Sequence, residues 1–423
     1  HASAVPGYVS RRFSSLAKRY GVYLHCGSMT VRRHPGRPSN TSFLFGPDGE
    51  TIAEYSKILN TARVALLTNI TGRDSTLRAD IQILQEICHL TALFGPEHGV
   101  RGNIGAGELV DQYTDPVTGL PVYSLYGKSG RHFTEEMLEC FDLLIYDIQD
   151  VGVRFFTYLS TLRNALADCA AAGKTLLVLD RPNPLGGEIV EGGTVQEGYH
   201  SFVGCCRFPY RYGLTAGEAA VMLNEEEKLG CDLQVAKCTG WKRRMQYPEW
   251  NKIWIAPSPA LMNFESVLCY PGTCLLEGTN ISEGRGTAAP FRVVGAEFID
   301  AEEFAEALNR AGVPGVVATP VWFTPSTSKY EGKNCGGVTF HVTDREKFRP
   351  VTLGITLLDH LRHRYGQKFQ ILPPSAEGKK PMLSLLSGSG DLLGEWERDS
   401  LLKTYEAECQ EFILKKQKYH LYE

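Results

Sequence analysis

Short apolar runs recur along the chain from residue 63, and each ends at polar, glycine or proline residues. Because the apolar positions are continuous rather than alternating, each run is typical of a strand that is buried on both faces of a sheet. The runs predict strands over Arg63–Asn69, Thr91–Pro96, Pro121–Tyr126, Leu143–Ile148 and Thr175–Asp180.

Helical periodicity lies between some of these strands. Apolar spacing predicts helices over Ala79–Leu90 and Phe156–Ala172, and Gly173 is a residue type that often ends a helix. Thr215 begins a third predicted helix, and Glu218 completes its capping box. The alternation of strand and helix predicts parallel βαβ units, so the fold class is α/β with a Rossmann-like open parallel sheet.

The pattern changes after residue 250. Val267–Arg292 is rich in glycine, serine, threonine and asparagine and has little periodicity, which predicts a long functional loop. Helical spacing over Ala301–Asn309, Thr352–Tyr365 and Ser400–Lys416, with an alternating strand at Gly337–Val342, predicts a second, α+β domain.

The residues before position 59 have a pattern of their own. Phe13–Tyr20 has helical spacing, and Val22–Ser28 has the composition of a strand. Ser42–Phe45 and Thr51–Tyr55 flank a Gly-Pro-Asp-Gly turn and predict a hairpin. Three elements are too few to bury a core, so they either join the main sheet or form a loosely attached piece.

Composition agrees with a globular chain of more than one domain. The 423 residues are 43% hydrophobic and 22% charged, and we expect three parts, at residues 1–58, 59–265 and 266–423. The net charge of −4 argues against a nucleic-acid surface, and no apolar run is long enough to span a membrane. Twelve cysteines without a CxxC pair favour a reducing compartment. The sequence as a whole leaves the localisation and the oligomeric state open.

Polar residues concentrate where the predicted strands end. The carboxyl ends of parallel strands form the ligand-binding edge of such a sheet. Glu97 and His98 follow the second strand on a turn between Pro96 and Gly99. Glu97 is a candidate general acid there, and the alternative is a pair that only stabilises the turn.

Further candidates follow the other strands and lie in the long loop. Asp147 and Asp150 form an acidic pair of the kind that glycoside hydrolysis uses, although Asp150 is equally suited to cap the next helix. Arg181 either pairs with Asp180 or binds a substrate carboxylate. The other candidates are Asn69, Arg101, Arg154, Asn183, Asn280, Glu283 and Arg285.

Cofactor motifs are missing from the sequence. No glycine-rich dinucleotide pattern follows the first strand, and neither a Walker A sequence nor a Gly-x-Ser-x-Gly elbow occurs. His360 and His363 are three residues apart without a matching glutamate, which favours surface residues over zinc ligands. We therefore expect neither a cofactor nor a metal ion.

The chain from residue 63 onward resembles the NamZ family of exo-β-N-acetylmuramidases, long known as a domain of unknown function. The matching strings are RVALLTNITG (63–72), LFGPEHGVRG (93–102), TGLPVYSLYG (118–127), DIQDVGVRFFTYLSTL (147–162), LDRPNPLGG (179–187), YPGTCLLEGTNISEGRG (270–286) and CGGVTFHVTDR (335–345).

The resemblance implies an active site in a cleft between the Rossmann-like domain and the C-terminal domain. It also implies release of terminal N-acetylmuramic acid from the non-reducing ends of peptidoglycan fragments, with the glutamate of the family's PEHG motif at Glu97. Either the substrate's acetamido group attacks the anomeric carbon, supported by Asp147 or Glu283, or a protein carboxylate acts as nucleophile or base. The candidate cations for the lactyl carboxylate are Arg101, Arg154, Arg181 and Arg285.

The sequence departs from the family pattern at three places. Tyr212 stands where histidine is usual, Ala260-Leu261-Met262 replaces Asn-Met-Pro, and Ala288-Ala289 replaces Thr-Arg. These departures keep a second hypothesis open, that of a divergent or non-catalytic relative that binds muropeptides.

Residues 8–58 resemble a different family, the nitrilase-type carbon–nitrogen hydrolases. Lys57 falls on the lysine of that family's Glu–Lys–Cys triad, while the glutamate and the cysteine have no matching positions. Hydrolysis of an amide or nitrile through Lys57 is a third hypothesis, although two residues of the triad have no matching positions. Because the chain opens with His1 and changes family near residue 59, a truncated or fused chain is the simplest interpretation.

Overall fold

The structure is a computed structural model that describes residues 14–19, 24–31, 39–45, 51–56, 62–105, 112–127 and 130–423. It divides into two compact units. The first unit comprises His1–Gln149, Thr161–Pro182 and Ala216–Trp241, and the second comprises Asp150–Ser160, Asn183–Thr215 and Lys242–Glu423.

The N-terminal segment contains a short helix and a small antiparallel sheet. Helix α1 covers residues 14–19, and strands β1 (Leu24–Val31), β2 (Ser39–Phe45) and β3 (Thr51–Ser56) lie in the order β1-β2-β3. The antiparallel pairing of β2 with β3 confirms the predicted hairpin. These strands form a sheet of their own, and Lys57 lies outside the described residues.

The first unit is built on a seven-stranded sheet with the order β10-β9-β8-β4-β5-β7-β6. Every neighbouring pair is parallel except β6 with β7 at one edge. Six of these strands follow the strand order of a Rossmann fold, which confirms the predicted fold class. The strands are β4 (Arg63–Thr68), β5 (His89–Gly95), β6 (Tyr113–Thr114), β7 (Pro121–Ser124), β8 (Leu143–Asp147), β9 (Thr175–Leu179) and β10 (Asp232–Ala236).

The chain reverses its direction of travel across this sheet at β4. It runs from β4 through β5 to β7 and then returns to place β8 on the other side of β4, where Thr68 is the register partner of Asp147. Ligands bind at the carboxyl ends of strands beside such a switch point. The fold therefore draws attention to the residues that follow β4, β5 and β8.

Four helices accompany the sheet: α2 (Asp80–Ile87), α3 (Glu135–Glu139), α4 (Tyr158–Ala171) and α5 (Ala216–Glu226). Helices α2, α4 and α5 confirm the three predicted ones, and Gly173 adopts the left-handed φ of 62° expected after α4. Ile81 and Leu84 of α2 pack with Val64, Leu66 and other strand residues in one apolar core. All of β8 and nearly all of β4 are buried, as their continuous apolar runs predict.

The second unit contains a three-stranded antiparallel sheet and five helices. Strands β11 (Val293–Ala296), β12 (Val316–Phe323) and β13 (Cys335–Val342) lie in the order β11-β13-β12. The predicted elements of this α+β region are confirmed. The helices are α6 (Phe264–Thr273), α7 (Ala301–Ala311), α8 (Pro350–Tyr365), α9 (Met382–Ser387) and α10 (Arg398–Lys416).

The prediction of a structureless loop over Val267–Arg292 was wrong in its first half. Helix α6 occupies that part of the chain, and the 3-10 helix Cys274–Gly278 follows it. Every residue of α6 except Glu265 is buried. A helix that is buried on all sides has no polar face, so its sequence lacks the periodicity by which helices are predicted.

Helices α6 and α8 approach each other closely at two glycines. A Cβ atom added to Gly272 would lie 1.9 Å from the carbonyl oxygen of Pro350, and one added to Gly354 would lie 2.5 Å from the carbonyl oxygen of Gly272. Both neighbours are backbone atoms, which move only if a helix moves. The glycines therefore set the distance between the two helices.

We expect Gly272→Ala to destabilise the protein by about 2 kcal/mol or more, because overpacking against backbone forces the helices apart. The midpoint of urea unfolding measures the effect. Gly394→Ala is the matched control, since an added Cβ there meets no atom within 4 Å, and its effect should stay within about 0.5 kcal/mol. Equal midpoints for the two variants would contradict the close approach.

Candidate active site

A tight turn after β5 presents Glu97 and His98. The backbone N–H of Gly99 donates to the carbonyl oxygen of Pro96 at 2.9 Å, so Glu97 and His98 occupy the two central positions. His98 has a φ of 72°, a left-handed conformation that residues other than glycine seldom adopt, although histidine, asparagine and aspartate do so more often than the rest. Backbone strain of this kind is concentrated at functional sites.

The imidazole of His98 is fixed in one orientation. His98 is buried, and its Nδ1 lies 3.0 Å from the carbonyl oxygen of Ile104. Because a carbonyl oxygen only accepts hydrogen bonds, Nδ1 carries the hydrogen, and Nε2 of the neutral ring is then an acceptor. Glu97, beside it, is half-buried.

Tyr126 lies near Glu97 and contacts Arg131, and neither residue was predicted from the sequence. The Arg131 guanidinium lies 4.9 Å from the centre of the Tyr126 ring. Burial raises the pKa of Tyr126, the charge of Glu97 raises it further, and Arg131 partly opposes the rise. The only sequence signal was that Tyr126 ends a predicted strand, because no acidic or imidazole group marks the position.

Asp147 and Arg181 form an ion pair at the switch point. Asp147 ends β8 and is buried, and Nε of Arg181 donates to its Oδ1 at 2.6 Å. Asp180 instead accepts from the backbone N–H groups of Gly217 and Arg181, at 2.7 and 3.0 Å, and so caps the start of α5. The predicted pairing of the Arg181 side chain with Asp180 was therefore wrong, because Arg181 pairs with Asp147 instead.

Asp80 lies beside this ion pair and was also missed. It begins α2, it is buried, and its Oδ2 lies 2.5 Å from Oγ1 of Thr68. Burial and then the charge of Asp147 raise the pKa of Asp80 to about 7. The pattern of polar residues directly after each strand does not include Asp80, because Asp80 returns to the same edge at the start of the following helix.

Asn69 and Arg101 make local contacts in the first unit. Oδ1 of Asn69 accepts from the backbone N–H of Thr71 at 3.0 Å, which fixes the amide orientation. Nδ2 of Asn69 is buried and has no hydrogen-bond partner in the described part of the chain. Arg101 binds the buried carboxylate of Asp115 through Nε and Nη2. Burial raises the pKa of Asp115, but Arg101 and the hydrogen bonds from Thr118 together lower it below its ordinary value.

Asp150 is a buried carboxyl group of the second unit. It accepts hydrogen bonds from the hydroxyl of Tyr212 at 2.7 Å and from the backbone N–H of Gly152 at 2.6 Å. Burial raises the pKa of Asp150 to about 6, although both hydrogen bonds oppose the rise. Tyr212, one of the departures from the family pattern, is thus the direct partner of this carboxyl group.

Three other predicted residues of the second unit bind backbone. Arg154 is fully buried and donates to the carbonyl oxygens of Gly193, Phe208 and Leu386. The side chain of Asn183 donates to Leu214 and accepts from Leu185, and that of Asn280 donates to Lys368 and accepts from Gln370. These contacts are those of structural residues, so we leave the three out of the site proposed below.

Glu283 and Arg285 belong to an ionic cluster with Glu277 and Lys329. Nζ of Lys329 lies 2.9 Å from Glu283, while Arg285 lies 3.3 Å from Glu283 and 2.6 Å from Glu277. Burial and the charge of Glu283 raise the pKa of Glu277, and Arg285 opposes them. Lys329 was missed because it lies more than 40 residues from its partners.

The predicted site residues are therefore divided between the units. The first unit holds Asn69, Glu97, His98, Arg101, Asp147, Asp180 and Arg181, and the second holds Asp150, Arg154, Asn183, Asn280, Glu283 and Arg285. A cleft between domains stays a prediction. Over the described residues, no helix combines the length and apolarity of a bilayer span, and no group of His, Cys, Asp or Glu is arranged to hold a metal ion.

We expect Asp150→Asn to gain stability relative to the wild type as pH rises. Because the pKa of Asp150 is raised in the folded protein, its contribution to the unfolding free energy is present below about pH 4 and is lost as pH rises through about 6. Between pH 4 and pH 7 the unfolding free energy of the wild type should fall by about 3 kcal/mol relative to that of the variant. Chemical unfolding at both pH values measures it, with exposed Asp399→Asn as a control that should show no such trend; a constant difference would contradict the account.

Comparison with known proteins identifies the family. The model for "Exo-beta-N-acetylmuramidase NamZ, N-terminal" matches residues 64–265, and that for the C-terminal part matches residues 268–422. The chain is 41% identical over 377 residues to the peptidoglycan beta-N-acetylmuramidase NamZ of Bacillus subtilis (strain 168), which covers 88% of this chain and 89% of that protein.

Two crystal structures of DUF1343 family proteins from Bacteroides fragilis share the fold. One is 38% identical with a TM-score of 0.80 and covers 87% of this chain and 96% of its own. The other is 29% identical with a TM-score of 0.66 and covers 86% of this chain and 95% of its own. Together, the two matching models and the 41% identical relative show that the chain belongs to the NamZ family of exo-β-N-acetylmuramidases.

Proposed function

We propose that this protein is an exo-β-N-acetylmuramidase that releases terminal N-acetylmuramic acid from the non-reducing ends of peptidoglycan fragments. The identity to the Bacillus subtilis muramidase supports the activity. The observation that carries the chemistry is the strained turn after β5, which presents a half-buried carboxyl group at the ligand-binding edge of the sheet.

Glu97 acts as the general acid in this proposal. It donates a proton to the glycosidic oxygen as the bond from that oxygen to the anomeric carbon breaks, and water finally supplies the hydroxyl group of the released sugar. His98, with its Nδ1 held by Ile104, offers Nε2 as an acceptor for a substrate hydroxyl. Tyr126, which feels the charge of Glu97 and contacts Arg131, is the neighbour that we assign to positioning the carboxyl group of Glu97.

Asp147 supports attack by the acetamido group of the substrate. Strands β5 and β8 flank β4, so the ends that carry Glu97 and Asp147 are separated by two strand spacings, about 10 Å. A carboxylate that attacks the sugar directly lies about 5 Å from the acid, and a larger separation leaves room for another group between them. This backbone separation is compatible with an acetamido group or a water molecule as the attacking species, and Glu283 is the alternative supporting carboxylate.

Arg181 is the cation that we assign to the lactyl carboxylate. Arg154 is enclosed by carbonyl oxygens, Arg101 binds a buried aspartate at two nitrogens, and Arg285 binds two glutamates. Arg181 binds one carboxylate, that of Asp147, through Nε at 2.6 Å, and its Nη2 donates to the carbonyl oxygen of Arg73 at 3.3 Å. The edge of its guanidinium is thus the best suited of the four to a second carboxylate.

We expect Glu97→Gln to abolish release of the chromogen from an aryl N-acetyl-β-muramide, because the amide has no proton to donate to the leaving oxygen. Circular dichroism should show an unchanged fold. Glu135→Gln, an exposed glutamate of α3, is the control and should keep full activity. Binding of muropeptides without turnover by the wild type would instead select the non-catalytic hypothesis.

We expect Arg181→Lys to raise KM for the aryl muramide by about tenfold or more, because lysine cannot form a bidentate pair with the lactyl carboxylate. The corresponding aryl N-acetylglucosaminide lacks that carboxylate, so its KM should be the same for the variant and the wild type. Arg163→Lys, at a surface ion pair with Glu227, is the control. An equal effect on both substrates would remove Arg181 from carboxylate recognition.

A further inference from the structure

We propose that Asp80 is a positioning residue that holds a proton beside Asp147, so that Arg181 keeps its positive charge for a carboxylate on the substrate. The inference rests on the proposed function, in which Arg181 binds the lactyl group of a muramyl sugar. It assigns a role to a residue that the family resemblance did not include. It also predicts a pH dependence of KM that comes from recognition of the acidic sugar rather than from bond cleavage.

The location of Asp80 is the first argument. Thr68 ends β4, Asp147 ends β8, and the two residues are register partners on either side of the switch point. Asp80 joins them from the first position of α2. The cluster therefore lies at the point of the sheet where open α/β folds bind their ligands.

The hydroxyl group of Thr68 stabilises a negative charge on Asp80 only weakly. Its Oγ1 lies 2.5 Å from Oδ2 of Asp80 and 3.0 Å from the carbonyl oxygen of Asp147. A hydroxyl group has one hydrogen, and a carbonyl oxygen only accepts. Thr68 donates to Asp80, but its single hydrogen is shared with the carbonyl oxygen of Asp147, so the hydroxyl group compensates a charge on Asp80 only in part.

The other side of the carboxyl group is closed by backbone. A Cβ atom added to Gly72 would lie 2.1 Å from Oδ2 of Asp80, and Oδ1 of Asp80 accepts from the backbone N–H of Ile81 at 2.7 Å. Only 6% of Asp80 is exposed. Such enclosure disfavours the charged form of a carboxyl group, and it explains why glycine occupies position 72.

Two charged groups act on Asp80 from the elements packed against it. Asp147 at the end of β8 raises the pKa of Asp80 in addition to burial, and Arg181 after β9 lowers it, with a net value of about 7. With Asp80 protonated, the carboxylate of Asp147 and the guanidinium of Arg181 cancel. Loss of the proton leaves one excess negative charge, which repels an approaching carboxylate.

The pH dependence of KM tests this role. For the aryl muramide, wild-type KM should rise by about tenfold between pH 6 and pH 8.5, whereas Asp80→Asn, which has no proton to lose there, should show a change of less than about twofold. Glu86→Gln, an exposed carboxyl group on the same helix, should behave as wild type. An identical rise in wild type and Asp80→Asn would overturn the proposal.

A second variant covers the case in which Asp80→Asn fails to fold. Thr68→Val removes the hydroxyl group that lowers the pKa of Asp80, so the rise in KM should move to higher pH. A merely structural role of Thr68 would change stability without moving that midpoint. A midpoint that stays in place would overturn the proposal.

Calorimetry separates this inference from the proposed function. N-acetylmuramic acid titrated at pH 7.5 in two buffers of different ionisation enthalpy should bind to the wild type with proton uptake, and to Asp80→Asn without it. N-acetylglucosamine should cause no uptake. Proton uptake that persists in Asp80→Asn overturns the role of Asp80 alone, whereas a wild type that neither binds nor cleaves muramyl sugars overturns the proposed function and this role with it.

Discussion

The double parallel pairing of β4 is the constraint on which the rest of the first unit depends. With β5 on one side and β8 on the other, the pairing brings the turn that carries Glu97 and the strand end that carries Asp147 to one edge of the sheet. The pairing requires strands that are apolar on both faces. The polar groups of the site therefore lie at strand ends, in the turns that follow them and at the start of helix α2.

That confinement has an electrostatic consequence. A buried charge is costly unless a partner of opposite charge or a proton compensates it. The first unit meets this requirement with Arg181 for Asp147 and, in the role that we propose, with a proton on Asp80, and the second unit uses Lys329 and Arg285 for Glu283. Within each unit these buried carboxyl groups thus occur in compensated sets rather than as isolated side chains.

The architecture and the turn that carries Glu97 could be predicted from the sequence, because both depend on local patterns, and the general-acid role of Glu97 stays a prediction. Continuous apolar runs gave the central strands, and the Pro96 to Gly99 turn marked Glu97. Helix α6 was missed because burial on all sides leaves no periodicity. Asp80 and Lys329 were missed because their partners are distant along the chain, and Arg154 was proposed as a ligand although burial had committed its guanidinium to three carbonyl oxygens.

The most direct test of the account is the product released from the disaccharide in which N-acetylmuramic acid is β-linked to N-acetylglucosamine at the non-reducing end. Mass spectrometry of a timed digest should detect free N-acetylmuramic acid and N-acetylglucosamine in equal amounts. A longer strand that ends in N-acetylmuramic acid should lose that residue first. An intact disaccharide, or internal cleavage of the strand without release of the terminal sugar, would contradict the account.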